Sequence, residues 1–202
     1  MAQTQIPAVF MRGGSSKGVF FMASDLPLDQ TQQDIIFLQT LGSPDMYGRQ
    51  LNGMGGGTSS LSKVVVLSKS TSPDIDIEYN FAQVSVGTSD VDYSTTCGNL
   101  SSAVGPFSID HGLIEATGSM TLVRVRSVNT GKIYHAHIPT NDGAFYEQGT
   151  FSIPGVSGTG SQIRLDYLDP GGATTGLLLP TGNERDIIHL KGEDPIEVSI
   201  VD

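Results

Sequence analysis

The hydrophobic and polar positions change period several times along the chain, and each change marks an element. Apolar runs at 6–10 and 19–22 flank the polar, glycine-rich segment 11–18, which reads as strand, turn, strand. Over 28–41 the period lengthens. Ile35, Leu38 and Leu41 share a helical face, Thr31 and Asp34 resemble a capping pair, and Gly42 stands just past the end. Residues 64–67 form a short apolar strand. Ile75, Ile77, Tyr79, Phe81, Val84 and Val86 alternate in part, which predicts one strand, or two joined at Ala82-Gln83. Leu100, Ala103, Val104 and Phe107 fall at i, i+3, i+4 and i+7, one face of a helix that starts at Cys97.

After His111-Gly112 the period is 2. Segments 119–128 and 133–138 flank Asn129-Thr130-Gly131-Lys132 as a hairpin. Strands are expected at 145–154 and 163–168, split by the Gly/Ser loop 155–161, and a last strand pattern ends the chain at 195–202. The helix from Cys97 contains Gly98, Ser101, Ser102, Gly105 and Pro106, all poor helix formers, and Pro106 is expected to bend it. Only a surrounding core holds such a segment, and its small residues admit close neighbours. The pattern therefore predicts a central helix wrapped by sheet.

Composition narrows this picture. Among 202 residues, 25 are Gly and none is Trp, in keeping with a β-rich fold with tight turns. The net charge of -10 argues against a general nucleic-acid binder, though a local basic cluster can still hold a small acidic ligand. One cysteine excludes an internal disulfide or a zinc-finger site and fits a reducing, cytoplasmic compartment. No run approaches the ~18 apolar residues of a membrane span. Residues 1–10 lack the apolar core and basic flank of a signal peptide.

Three stretches carry candidate chemistry. Arg12, Ser15, Ser16 and Lys17, with the amides of Gly13 and Gly14, suit a carboxylate or phosphate; the same residues also make an ordinary polar hairpin. The second stretch, 53–60, includes Gly56, Gly57, Thr58 and Ser59 and leads into Lys63. It fails the dinucleotide fingerprint, because Thr58 holds the third glycine position. Lys63 is either a strand-end lysine reaching water or an enclosed amine available as a base. The third is Cys97-Gly98-Asn99. A thiol at a helix start meets free amides and a positive dipole end, which favour anions and the thiolate form; a small buried hydrophobe is the other reading. His135 and His137 lie on one side of a strand, but no third metal ligand accompanies them.

Taken together, four segments resemble one family. They are Arg12-Gly13-Gly14-Ser15-Ser16-Lys17-Gly18-Val19-Phe20-Phe21, Gly53-Met54-Gly55-Gly56-Gly57-Thr58-Ser59-Ser60-Leu61-Ser62-Lys63, Thr96-Cys97-Gly98-Asn99-Leu100-Ser101-Ser102-Ala103-Val104-Gly105-Pro106, and Gly172-Ala173-Thr174-Thr175-Gly176 with Leu179-Pro180-Thr181-Gly182. Their order and spacing are similar to those of the PrpF-like family, which includes 2-methylaconitate cis-trans isomerase, methylitaconate and aconitate Δ-isomerases and 4-oxalomesaconate tautomerase. Ser15 stands where a Thr is usual, which keeps the hydroxyl.

The resemblance implies the diaminopimelate-epimerase-like fold, an α+β domain in which a mostly antiparallel, barrel-like sheet wraps a central helix. It also implies a second, similar domain across a cleft, so that residues 1–202 form one domain, the N-terminal half of the whole. The implied activity is proton transfer within an unsaturated di- or tricarboxylate, without metal or organic cofactor. Lys63 and Cys97 are the implied catalytic residues. The implied substrate-binding residues are Arg12, Gly13, Gly14, Ser15, Ser16, Lys17, Gly56, Gly57, Thr58, Ser59, Gly98 and Asn99. The implied partner is a small carboxylate, with a second epimerase-like domain or a second copy closing the site, and neither nucleic acid nor membrane. Two other readings compete. One is a non-catalytic, carboxylate-binding accessory domain; the other is amino-acid epimerisation, against which the single cysteine counts.

Overall fold

A computed structural model describes residues 3–202. In chain order the elements are β1 (Val9–Gly13), β2 (Ser16–Met22), α1 (Gln30–Leu41), β3 (Lys63–Lys69), β4 (Ile77–Val84), β5 (Val91–Asp92), α2 (Gly98–Asp110), β6 (Met120–Ser127), β7 (Ile133–Asn141), β8 (Ala144–Phe145), β9 (Arg164–Tyr167), β10 (Asp186–Ile188) and β11 (Ile196–Val198). Nine strands make one sheet in the order β1-β2-β3-β4-β6-β7-β8, with β5 beside β4 and β9 beside β7. The β2–β3 and β4–β6 pairs are parallel, and the other pairs are antiparallel. Parallel neighbours need a crossover. Helix α1 supplies the first and α2 the second.

Helix α2 touches β1 and β2 near one end of the sheet and β7, β8 and β9 at the other. One helix meets both ends only if the sheet curls round it, so the fold is the α+β half-barrel that the resemblance implies, around the central helix that the patterning predicts. The curl also gives the central strands two buried faces. Phe20, Val65, Leu67, Tyr79 and Phe81 face α2 together with Val123, Val125, Tyr134, Ala136 and Ile138. Val19, Phe21, Val64, Val66, Ala82 and Val84 face the other way, onto Phe37 and Leu41 of α1. Double burial is why 19–22 and 64–67 read as continuous apolar runs instead of alternating.

The buried helix is built from residues that favour other structures. Ser101 and Ser108 are buried, and each hydroxyl donates to the carbonyl four residues back, Cys97 at 2.9 Å and Val104 at 2.8 Å. Their polar groups are thereby satisfied within the helix. A Cβ on Gly105 would stand 2.4 Å from Ile138 Cδ1, so glycine there lets β7 approach. The helix continues past Pro106 to Asp110.

Several boundaries differ from the expectation. The turn at 11–18 shrinks to Gly14-Ser15, and Arg12 pairs with Lys17 across a two-residue hairpin; close packing accounts for Gly13 and Gly18, and the turn for Gly14. The cap of α1 is Asp29, whose carboxylate accepts from the Gln32 N–H at 2.9 Å, and not the Thr31/Asp34 pair. Phe37 and Leu41 form its buried face, whereas Ile35 is 50% exposed. β4 is one strand across Ala82-Gln83. The expected strand at 145–154 is reduced to the end of β8 and a single bridge from Phe151 to Gly160, because the Gly/Ser loop offers no long partner. The end of the chain forms only the short β10–β11 ribbon.

Candidate active site

Five strands set the site in one row. Antiparallel and parallel register place Met11, Gly18, Lys63, Gln83 and Asp92 side by side across β1, β2, β3, β4 and β5. Lys63 shares the inward phase of Val65 and Leu67, so its side chain lies on the α2 side of the sheet. It is buried to 9% exposure. Its Nζ donates to Gln83 Oε1 at 2.5 Å and stands 5.1 Å from the centroid of the Phe81 ring. Phe81 is itself fixed by Asn129, whose side chain bonds both the N–H and the carbonyl of Phe81 at 2.8 Å.

The N-terminal end of α2 lies against this region: a Cβ on Gly18 would meet both Leu100 Cδ1 and the Lys63 carbonyl at 2.9 Å. Cys97 is the N-cap, and its Sγ accepts from the Leu100 N–H at 3.5 Å. The Cys97 carbonyl accepts from Ser101 N–H at 2.9 Å and from the Tyr79 hydroxyl at 3.3 Å. The Tyr134 hydroxyl donates to the Ser101 carbonyl at 3.3 Å. Burial holds both phenols above their ordinary range, Tyr79 also through the charge of Cys97, so both remain donors that pin the first turn. Gly98 and Asn99 are exposed. Their N–H groups open the helix, where no intrahelical acceptor exists.

The β1–β2 hairpin is clamped over the same turn. A Cβ on Gly13 would stand 2.6 Å from the Asn99 carbonyl oxygen and 2.9 Å from Leu100 Cα. Gly14 adopts φ 53° against the Asn99 side chain, and Ser15 N–H donates to Asn99 Oδ1 at 3.4 Å. Ser16 is buried on the inward side. The strand period sends Arg12 and Lys17 to the opposite face. Arg12 is exposed and bonds the Gly14 carbonyl at 2.6 Å, and Lys17 lies over Phe10.

The second glycine-rich segment is packed around a residue that sequence patterning passes over. Gln50 is 1% exposed. Its Oε1 accepts from Gly57 N–H at 2.9 Å and Ser62 Oγ at 2.6 Å, and its Nε2 donates to Ser43 Oγ at 2.8 Å. A Cβ on Gly55 would fall 2.2 Å from that Oε1, and one on Gly56 2.5 Å from Leu61 Cδ1. The segment then passes Thr58 and Ser59 to reach Ser62, whose carbonyl, like that of Ser59, accepts from Gln83 Nε2.

The structure thus gathers Lys63, Cys97, Gly98, Asn99, Gly13, Gly14, Ser15 and Ser16 at one end of α2. It ties Ser59 to them through Gln83 and Thr58 through Ser62, and turns the side chains of Arg12 and Lys17 to the opposite face of the hairpin. A groove of about 430 Å³ runs beside the hairpin, lined by Gly13, Gly14, Ser102 and Phe145 among others; neither Lys63 nor Cys97 lines it. Among the described residues, no three His, Cys, Asp or Glu side chains converge as metal ligands, and His137 bonds Asp166 at 2.8 Å instead. No helix of the described residues is long and apolar enough to cross a membrane.

Fold and site define the class: an epimerase-like half-barrel in which a buried lysine and a cysteine lie toward the N-terminal end of the central helix. Residues 3–202 match the model of the family described as PrpF protein, and the chain belongs to that family. It is 44% identical to the 3-methylitaconate isomerase of Eubacterium barkeri, over 99% of this chain and 52% of that protein. It is 40% identical to the 2-methyl-aconitate isomerase of Cupriavidus necator, over 98% and 53%. It is 43% identical to the 4-oxalomesaconate tautomerase of Pseudomonas putida, over 100% and 54%. The crystal structure of methylitaconate-delta-isomerase superposes with a TM-score of 0.84, covering 98% of this chain and 50% of that one. The chain therefore spans about half the length of the curated relatives it matches.

Proposed function

We propose that this chain carries the proton-transfer half of an isomerase acting on an unsaturated di- or tricarboxylate such as aconitate or 2-methylaconitate, moving a double bond or exchanging cis for trans. The observation that supports it most is the buried Lys63 amine, held by a neutral amide beside the open N-terminus of α2, in a chain similar to relatives named as isomerases of such acids.

In this reading Lys63 takes a proton from the carbon next to the double bond. The electrons delocalise into a dienolate, and return of the proton at the far carbon moves the double bond. Return at the same carbon, after rotation, exchanges cis for trans. Such carbon acids are weak, so the developing charge needs preorganised donors. The exposed amides of Gly98 and Asn99, with the dipole of α2, are placed for a carboxylate, as is the hairpin of Gly13, Gly14, Ser15 and Ser16. Gly56, Gly57, Thr58 and Ser59 bound the Lys63 side. Arg12 and Lys17 act at longer range, raising the local potential of a chain whose net charge is -10. Cys97 is the partner of Lys63 or a positioning group. Side chains and backbone amides are the machinery, in a cytoplasmic enzyme whose cleft is completed by a second epimerase-like domain or a second copy.

The test is proton NMR in D2O with cis-aconitate, trans-aconitate and 2-methylaconitate, on this chain and on the natural gene product. Deuterium entering an allylic position of one of them is the expected result. Binding without exchange in both proteins would make the chain a carboxylate-binding module instead.

A further inference from the structure

We propose that Gln83 is a positioning residue for Lys63, presenting a neutral acceptor to the amine and tying it to the loop that borders the site. The inference rests on the reading of Lys63 as the proton-transfer group. The orientation of the Gln83 amide follows from its neighbours. Its Nε2 faces the carbonyls of Ser62 at 2.9 Å and Ser59 at 3.2 Å, while its Oε1 faces Lys63 Nζ at 2.5 Å. Flipping the amide would set oxygen against two carbonyl oxygens and an NH2 group against the amine. Gln83 therefore offers Lys63 an acceptor and nothing else.

A neutral acceptor has a chemical consequence that a carboxylate lacks. A carboxylate at this spot would hold lysine as the ammonium. An amide oxygen accepts an N–H from the ammonium or from the free amine, so the bond survives each transfer of the proton. One N–H stays on Gln83 and the remaining positions of Nζ are free to exchange a proton with substrate. The other groups facing Lys63 leave this arrangement intact. They are Phe81 from β4, whose ring lies under Nζ, and Gly18 from β2, which packs on the Lys63 backbone; Leu100 and Cys97 from the first turn of α2, Ser59 and Ser62 of the loop, and Asp92 of β5 beyond Gln83 surround the same region. Cys97 and Asp92 are the ionisable side chains among these, and among the described residues Lys63 has no ion-pair partner.

The test uses the full chain with Lys63→Ala, Gln83→Leu and Gln83→Glu in parallel, following allylic exchange against pH. Gln83→Leu is expected to lower kcat by about 10²-fold with little change in KM, the cost of a misplaced reacting group. Gln83→Glu is expected to fold and to move the alkaline-rising limb of the kcat profile upward by about one pH unit or more. An unmoved limb in an active Gln83→Glu variant overturns the role of Gln83, provided Lys63→Ala is inactive. An active Lys63→Ala protein overturns the reading of Lys63 itself, so the two failures are distinct. If the Gln83 variants do not fold, ¹⁵N-lysine NMR of the unsubstituted chain decides, with Lys63→Ala assigning the signal. Nζ protons of Lys63 protected from solvent exchange support the bond to Gln83. Protons exchanging as fast as those of exposed lysines overturn it.

Discussion

Replacing Gln50 with Leu removes the hub of the loop that leads into Lys63. Three side-chain bonds disappear, to Ser43 Oγ, Gly57 N–H and Ser62 Oγ, each worth about 1 kcal/mol net. Ser62 recovers part of the loss, since its hydroxyl already reaches the Thr58 carbonyl at 2.8 Å. The Gly57 N–H has no such second partner, and a half-buried donor left bare adds about 1 kcal/mol, the low end of the range. Burial of the leucine side chain returns about 1.5 kcal/mol. The positive φ of 54° at position 50 is equally awkward for both residues and drops out. The expected net loss is about 2–3 kcal/mol. With a slope of about 1–3 kcal/mol/M, the urea midpoint falls by roughly 1 M without a change in slope. Hydrogen exchange at the Gly57 amide rises at the same time. Turnover falls too, because the Ser62 and Ser59 carbonyls that hold Gln83 belong to this loop. A loss under about 1 kcal/mol with the Gly57 amide still protected would refute the hub.

Two further substitutions probe the frame. Gly13→Ala sets a Cβ 2.6 Å from the Asn99 carbonyl oxygen, so hairpin or helix must shift; thermal unfolding should show a loss of about 1–3 kcal/mol, and an unchanged melting temperature would contradict the clamp. Glu78 tests pH linkage: the Arg126 guanidinium bonds it at 2.5 and 2.9 Å and, with Ser70 and against the opposing effect of burial, holds its carboxyl below the ordinary 4.5. A lowered folded pKa gives stability that is complete above about pH 4.5 and lost as pH falls through the folded value. The deficit of Glu78→Gln, read from urea midpoints, should therefore shrink from neutral pH toward pH 3; a constant deficit would show that the pair is not the cause.

Much of the frame was legible in the pattern of residues. The 3.6 period after Cys97, set among poor helix formers, required a helix held by its surroundings, and α2 is that helix. The apolar runs that follow the glycine-rich segments, 19–22 and 64–67, have two buried faces, which α1 and α2 cover. The glycines were harder to read. Gly13 and Gly18 look like turn positions, yet each permits the close approach between α2 and the sheet that the small residues of α2, Gly105 among them, were expected to allow. That distinction depends on contacts far away in the chain. The same holds for the supporting amides: Gln50, Gln83 and Asn129 bond residues of other elements, and nothing local marks them. One signal did exist for Gln83. Ile77, Tyr79 and Phe81 set the inward phase of β4, and Gln83 is the polar residue that follows in that phase, as Lys63 is the polar residue that opens the inward phase of β3. The turning of Arg12 and Lys17 to the opposite face of the hairpin was equally implicit, because a two-residue turn keeps both on strands where the period is 2.

The central claim is that Lys63 moves the proton. It is tested most directly by incubating the unsubstituted, Lys63→Ala and Cys97→Ser proteins with 2-methylaconitate and aconitate in D2O and following the allylic signals by NMR. Lys63→Ala is expected to fold, bind substrate and incorporate no deuterium, while Cys97→Ser retains measurable exchange. Deuterium uptake by folded Lys63→Ala at the unsubstituted rate would contradict the claim.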